Sequence, residues 1–240
     1  MPHISNRLES IKSAIAETAI AAGRDPGSVE LVAITKTHPP ESIREAIDAG
    51  QVVFGENRVQ EARSKIPLLP SSTRWHLVGH LQKNKIRQAL PLFELIHGVD
   101  SLELARDINR IASELGLFPR ILLEINVAGE STKFGFKRLD LHRDMQELLA
   151  LDRVQIEGLM TIAPMVGEAE EARKYFADMR VLRDDLQQVF GIPLPQLSMG
   201  MSGDFTAAIK EGATMVRVGT AIFGPRSSKN LLAGGAFSSD

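Results

Sequence analysis

The chain has 240 residues, 43% of them hydrophobic, with a formal net charge of -2 and no cysteine. That balance gives no electrostatic footprint for nucleic acid or an anionic membrane, and the lack of cysteine excludes disulfides and thiolate metal centres. The apolar runs are too short to cross a bilayer, and charges interrupt the N-terminal segment where a secretory signal needs an unbroken apolar centre, so the expectation is a cytoplasmic protein.

Along the chain, Ile4, Leu8, Ile11, Ile15 and Ala19 recur at helical spacing, and Gly23 closes that first helix. An alternation follows. The predicted strands are Leu31–Thr35, Gln51–Phe54, Arg74–Val78, Leu95–Val99, Arg120–Asn126, Gln155–Met160, Pro195–Ser198 and Met215–Val218. The predicted helices between them are Glu41–Ala49, Arg58–Ile66, Lys83–Leu90, Leu102–Leu115, Leu139–Ala150, Glu168–Phe190 and Phe205–Glu211, with a further one beginning near Pro225. Strands alternating with helices imply parallel pairing through right-handed crossovers. The economical fold is a closed (β/α)8 TIM barrel with an extra N-terminal helix, against an open doubly wound sheet as the other possibility. The expectation is one domain over 1–230, with 231–240 a flexible tail.

In a parallel barrel the functional groups gather where strands end. The first strand, within LVAITKTHPPE, delivers Lys36 just before Pro39 and Pro40. A partly desolvated amine there is able to form a Schiff base; a solvated lysine closing a strand is the plain alternative. After the second strand comes FGENRVQE. Asn57 is suited to capping the next helix or to facing a ligand, while Glu56 and Glu61 are expected in or near its first turns. On the third strand Trp75 and Leu77 point one way, His76 and Val78 the other. His76 is either a satisfied wall residue or a neutral imidazole beside a ligand. Its spacing to His80 is a zinc pair only on a helix, and no third ligand accompanies it, so no metal site is expected. Lys83 and Lys85, at a helix start, read first as wet surface and second as anion contacts; Lys133, in the loop after the fifth strand, belongs either to a plain surface loop or to one that covers a site. Near the C-terminus, LSMGMSGDFTAAIKEG places glycines around Ser202, and VRVGTAIFGP has Gly219 and Thr220 at a strand end. Loops after the last two barrel strands commonly hold phosphate through backbone N–H groups and hydroxyls; Ser202 as an N-cap between tight turns is the structural alternative. Arg217, between Val216 and Val218, points into the barrel and needs an acceptor, either Glu124 or a ligand.

Together, Lys36, FGENRVQE, WHLVGHLQKNK, LSMGMSGDFTAAIKEG and VRVGTAIFG resemble the YggS/PROSC family of pyridoxal phosphate-binding proteins, in order and over nearly the whole chain. The fold is similar to the N-terminal barrel of alanine racemase. The resemblance implies pyridoxal 5′-phosphate (PLP) held as a Schiff base on Lys36. It implies phosphate contacts from Ser202, Gly219 and Thr220 with Gly203 nearby, Arg217 against the pyridine nitrogen, Asn57 near the ring substituents and His76 close to the pocket. His38 stands where many members carry a basic or small residue. The implied role is intracellular PLP homeostasis without substantial turnover, in a monomer whose partners are PLP and, as recipients, PLP-dependent apo-enzymes. The alternatives are a weak amino-acid racemase or a sugar-phosphate enzyme using Lys36. Racemisation needs a second base above the substrate carbon. The one tyrosine, Tyr175, falls on a helix expected outside the barrel.

Overall fold

The β-branched runs of this sequence become strands buried on both faces, as a parallel sheet wrapped in helices requires. The structure, a computed structural model, describes residues 3–130, 132–165 and 167–225. Its elements are α1 (Ile4–Ala21), β1 (Glu30–Ile34), α2 (Pro40–Asp48), β2 (Val53–Glu56), α3 (Val59–Lys65), β3 (Arg74–Leu77), α4 (Ile86–Ala89), β4 (Leu95–Val99), α5 (Leu102–Leu115), β5 (Arg120–Glu124), α6 (Arg138–Leu149), β6 (Gln155–Met160), α7 (Ala169–Phe190), β7 (Gln196–Met201), α8 (Phe205–Lys210), β8 (Met215–Val218) and α9 (Thr220–Phe223). The eight strands form a closed parallel barrel in chain order. It closes where Val32 of β1 pairs with Arg217 of β8. The open-sheet alternative is thereby excluded.

Side-chain alternation divides the apolar residues into two cores. Leu31, Ala33, Trp75, Leu77, Val216 and Val218 face the helices and belong to the large outer cluster. Val32, Ile34, Val53, Val78, Leu95, Leu122, Met160 and Met215 fill the barrel itself. Such interior layers make a packed core, not a pore. The strand-start end carries a charged network. Arg74 bonds Glu94 at 2.6 and 2.8 Å and Glu30 at 2.8 Å, and Arg120 joins Glu94 to Glu157. Local signals set several helix ends. Ser101 caps α5 by accepting from the Leu104 N–H, and Gly116, at φ 66°, ends it in the left-handed conformation.

Some boundaries differ from the sequence expectation for identifiable reasons. β2 begins late because the Gln51 side-chain amide donates to the carbonyls of Leu31 and Val53 at 2.8 and 2.7 Å, and it runs on to include Glu56. β5 stops at Glu124, whose carbonyl accepts from Phe136 N as the following loop folds back. The expected helix over Lys83–Leu90 is a 3-10 turn, Lys83–Lys85, followed by the single turn of α4. The short helix α9 was not foreseen. The expected helix beyond Pro225 and the tail at 231–240 lie outside the described residues. Among the described residues no helix is long and apolar enough to cross a membrane, and no cluster of His, Asp or Glu has metal-binding geometry.

Candidate functional site

The mouth of the barrel at the strand C-termini holds a cavity of about 270 Å³, near the lower end of small-molecule sites. Lys36, Asn57, Ser202, Gly203, Arg217, Gly219 and Thr220 all line it, together with Ile34, His38, Val78, Ile162, Met201 and Gly224. Residues as far apart along the chain as Lys36 and Thr220 therefore share one wall because β1 and β8 are neighbours in the closed sheet.

Lys36 follows β1 by one residue, Thr35, and is half-buried. Thr35 N–H continues the ladder to Gly55 O at 3.0 Å, and His38 N–H turns back to Thr35 O at 3.0 Å. Pro40 then opens α2, at a position where the missing N–H costs nothing. The prolines thus steer the main chain away from the cavity that Lys36 lines. Thr37 takes φ 65°, the one non-glycine residue with positive φ among those described.

Arg217 enters the cavity floor from β8. It is buried, and its partners are not the Glu124 carboxylate of the salt-bridge reading. Its Nη1 donates to Ser198 O at 2.8 Å and Ser198 Oγ at 2.5 Å, and its Nη2 donates to Thr161 O at 2.7 Å. Burial pushes the guanidinium down to about 10, with Glu124 and Asp204 acting the other way, so it stays charged at neutral pH. Two neutral carbonyls and a hydroxyl fix the planar fork without cancelling its charge.

His76 does not line the cavity. It lies fully buried on the inward face of β3, beneath the floor. It reaches Arg217 indirectly, through a residue that the sequence reading passed over. Ser198 Oγ is 2.9 Å from His97 Nδ1, and His97 Nε2 is 3.1 Å from His76 Nδ1. Because Arg217 donates to Ser198 Oγ, the hydroxyl hydrogen is left to point at His97 Nδ1; His97 Nε2–H then donates to His76 Nδ1. The far nitrogen, His76 Nε2, is buried with no partner. Burial holds His97 well below the ordinary imidazole range and His76 at about 4, so both rings are neutral at physiological pH. His97 shares the inward face of β4 with Leu95, and that period of two was the signal available in the sequence.

The flanking residues also depart from their alternatives. Asn57 caps nothing: Arg58 is the N-cap of α3, and no side chain bonds there. Ser202 is not an N-cap either; its Oγ accepts from Gly219 N at 3.3 Å, tying the β7 and β8 turns together. A methyl group at Gly219 would come within 3.2 Å of Ile34, whereas one at Gly203 would meet nothing within 4 Å among the described residues beyond its chain neighbours. Glu124 is buried, and burial together with Asp100 pushes its carboxyl up to about 7. Asn126 has left the strand and holds its own loop through the Glu130 and Lys133 carbonyls. Lys83, Lys133 and exposed His80 border a separate depression. There Lys83 pairs with Glu103, Lys133 with Glu130 and His80 with Asp100. Tyr175 lies on α7, outside the barrel, as expected.

The family model described as alanine racemase, N-terminal domain, matches residues 8–227. A pyridoxal phosphate homeostasis protein of Aquifex aeolicus is 42% identical over 221 residues, covering 92% of this chain and 97% of its own. The structure of PipY from Synechococcus elongatus PCC7942 with PLP bound superposes with a TM-score of 0.82 at 44% identity, over 92% of this chain and all of that one. An alanine racemase of Clostridium difficile 630 shares the fold at a TM-score of 0.73 and 18% identity, this chain spanning 58% of its length.

Proposed function

This chain belongs to the alanine racemase N-terminal domain family, and we propose that it binds pyridoxal 5′-phosphate at the barrel mouth and serves the homeostasis of that cofactor. The observation that carries this reading is the convergence on one cavity of an amine, a charged guanidinium and a wall of glycines and hydroxyls. The donor chemistry fits the ligand's three functional parts: an aldehyde, a pyridine nitrogen and a phosphate. Gly203 leaves open space where a side chain would stand, and backbone at such positions approaches phosphate oxygens closely.

In this proposal Lys36 holds the aldehyde covalently. Ser202, Gly203, Gly219 and Thr220 take the phosphate, Arg217 meets the ring nitrogen, and Asn57 borders the ring substituents. When bound, PLP supplies an electrophilic carbon and an electron-withdrawing ring. Arg217 has donors only, so it stabilises an unprotonated ring nitrogen, the weaker electron sink. Ser198 Oγ and the Ser198 and Thr161 carbonyls keep that fork in place. His76 acts at a distance, through His97 and Ser198. Storage and release of the cofactor, with PLP-dependent apo-enzymes as recipients, fits this chemistry better than efficient turnover. Tyr175, the one tyrosine, stands outside the barrel and cannot supply a base above the site.

Mass spectrometry after borohydride trapping tests the reading. The expected result is a pyridoxyl adduct on the peptide carrying Lys36, absent in Lys36→Ala. A colourless wild-type protein with no adduct, in excess PLP, would sink it. A racemisation assay tests the carrier role: turnover at about 1 per second or faster is ordinary enzyme behaviour and would contradict it.

A further inference from the structure

The motif FGENRVQE contributes Asn57 to the cavity, yet both of its glutamates lie elsewhere, under the loop that carries Lys36. Glu56 ends β2, three residues before α3, and is fully buried. Glu61 sits in the first turn of α3. Lys65, one turn further on and itself buried, directs three donor contacts into this space. Its Nζ reaches Glu56 Oε1 at 2.7 Å, Thr35 O at 2.9 Å and Glu61 Oε2 at 3.2 Å. Glu61 Oε2 also accepts the Thr37 N–H at 2.9 Å. Glu56 Oε1 accepts from Thr35 Oγ1 at 2.6 Å.

The main-chain groups on either side of position 36 are thus bound to one cluster: the Thr35 carbonyl to Lys65 and the Thr37 amide to Glu61. Thr37 has φ 65°, a conformation that costs an ordinary L-residue about 1–2 kcal/mol. It persists only where surrounding contacts over-determine it. The Glu61 bond is such a contact. The Glu61 carboxyl is held below its ordinary range: burial opposes its charge, but the Thr37 N–H and the Lys65 ammonium outweigh burial. Burial raises the Glu56 carboxyl despite Lys65, and its Oε2 has no partner.

We propose that Glu56, Glu61 and Lys65 are positioning residues for Lys36: they clamp the backbone on both sides of it and so set how fast its amine captures the aldehyde. This rests on the reading of Lys36 as the cofactor-bearing residue. None of the three lines the cavity, so their effect passes through the main chain.

The test follows capture of pyridoxal 5′-phosphate by borohydride quenching and mass spectrometry, with amide hydrogen exchange at Thr37 measured in parallel. Glu61→Ala is expected to speed exchange at Thr37 and to slow capture by roughly 10- to 100-fold, the range a small misplacement of a reacting group produces. Glu61→Gln keeps an acceptor for the amide and should retain most of the rate. Thr37→Gly added to Glu61→Ala should restore much of the loss, because glycine adopts this φ without strain. Wild-type capture rate in Glu61→Ala, or exchange at Thr37 unchanged by it, overturns the inference. A wild-type protein that forms no adduct at position 36 overturns instead the reading on which it rests.

Discussion

His97 Nε2 lies 3.1 Å from His76 Nδ1 inside the closed barrel, where neither ring meets solvent. One ring must donate and the other accept, and a pair with both rings charged would set N–H against N–H. Burial, more than this pairing, keeps both imidazoles neutral. His76 has its pKa pushed to about 4 from 6.5, chiefly by burial. A histidine depressed in the folded state contributes stability that is present above pH 6.5 and is lost as pH falls through about 4. Urea unfolding across that window should show it. His76→Leu is expected to reduce the slope of unfolding free energy against pH by up to ~1.4 kcal/mol per pH unit, one proton's share. An unchanged slope would mean that His76 is charged in the folded protein.

Glu124 should act with the opposite sign. Its carboxyl, pushed up to about 7 from 4.5, contributes stability that is present below pH 4.5 and lost as pH rises through about 7. Glu124→Gln removes the ionisation and keeps the shape. The gain in urea midpoint relative to wild type should be larger at pH 8 than at pH 4. A pH-independent difference would count against a buried neutral acid.

Ser198 joins the site to the barrel interior, since its hydroxyl both accepts from Arg217 and faces His97 Nδ1. Ser198→Ala leaves the Arg217 contacts to the two carbonyls intact but strands a buried imidazole nitrogen. Such a loss costs roughly 1–3 kcal/mol, measurable as a lower urea midpoint. PLP affinity should also fall as the guanidinium loosens. A variant with wild-type stability and affinity would show the link to be incidental.

Two glycines separate packing from binding. A methyl group at Gly158 would stand 1.9 Å from the backbone oxygen of Gln196, where β6 and β7 approach. Gly158→Ala should therefore destabilise the barrel by about 3 kcal/mol or more, at the upper end of overpacking costs. At Gly203 a methyl group meets nothing within 4 Å among the described residues beyond its chain neighbours. Gly203→Ala should melt like wild type yet retain PLP more weakly. Calorimetry with and without PLP separates the two: normal melting with normal retention at Gly203 would remove it from the phosphate site.

The alternation of short β-branched runs with period-3.6 helices pointed by itself to parallel strands wrapped in helices, because each strand must bury two faces and each helix one; closure into a barrel rather than an open sheet was decided only by the pairing of β1 with β8. Period-two alternation also placed Arg217 inward, since Val216 and Val218 had to face the helices. Strand ends such as Lys36 and Gly219 were legible for the same reason: in this fold the chain order of strands is their spatial order. What lies inside the barrel was not legible. That Arg217 leans on Ser198 and Thr161 rather than Glu124 depends on strand stagger. The partnership of His97 with His76 depends on which inward residues of β3 and β4 share a layer. The Lys65 clamp at Thr35 and Thr37 depends on where α3 sets its buried ammonium against β1. Local sequence fixes which way a side chain points, but only the closed sheet and its packed helices decide what it meets there, because those contacts join residues whose separation along the chain carries no pattern.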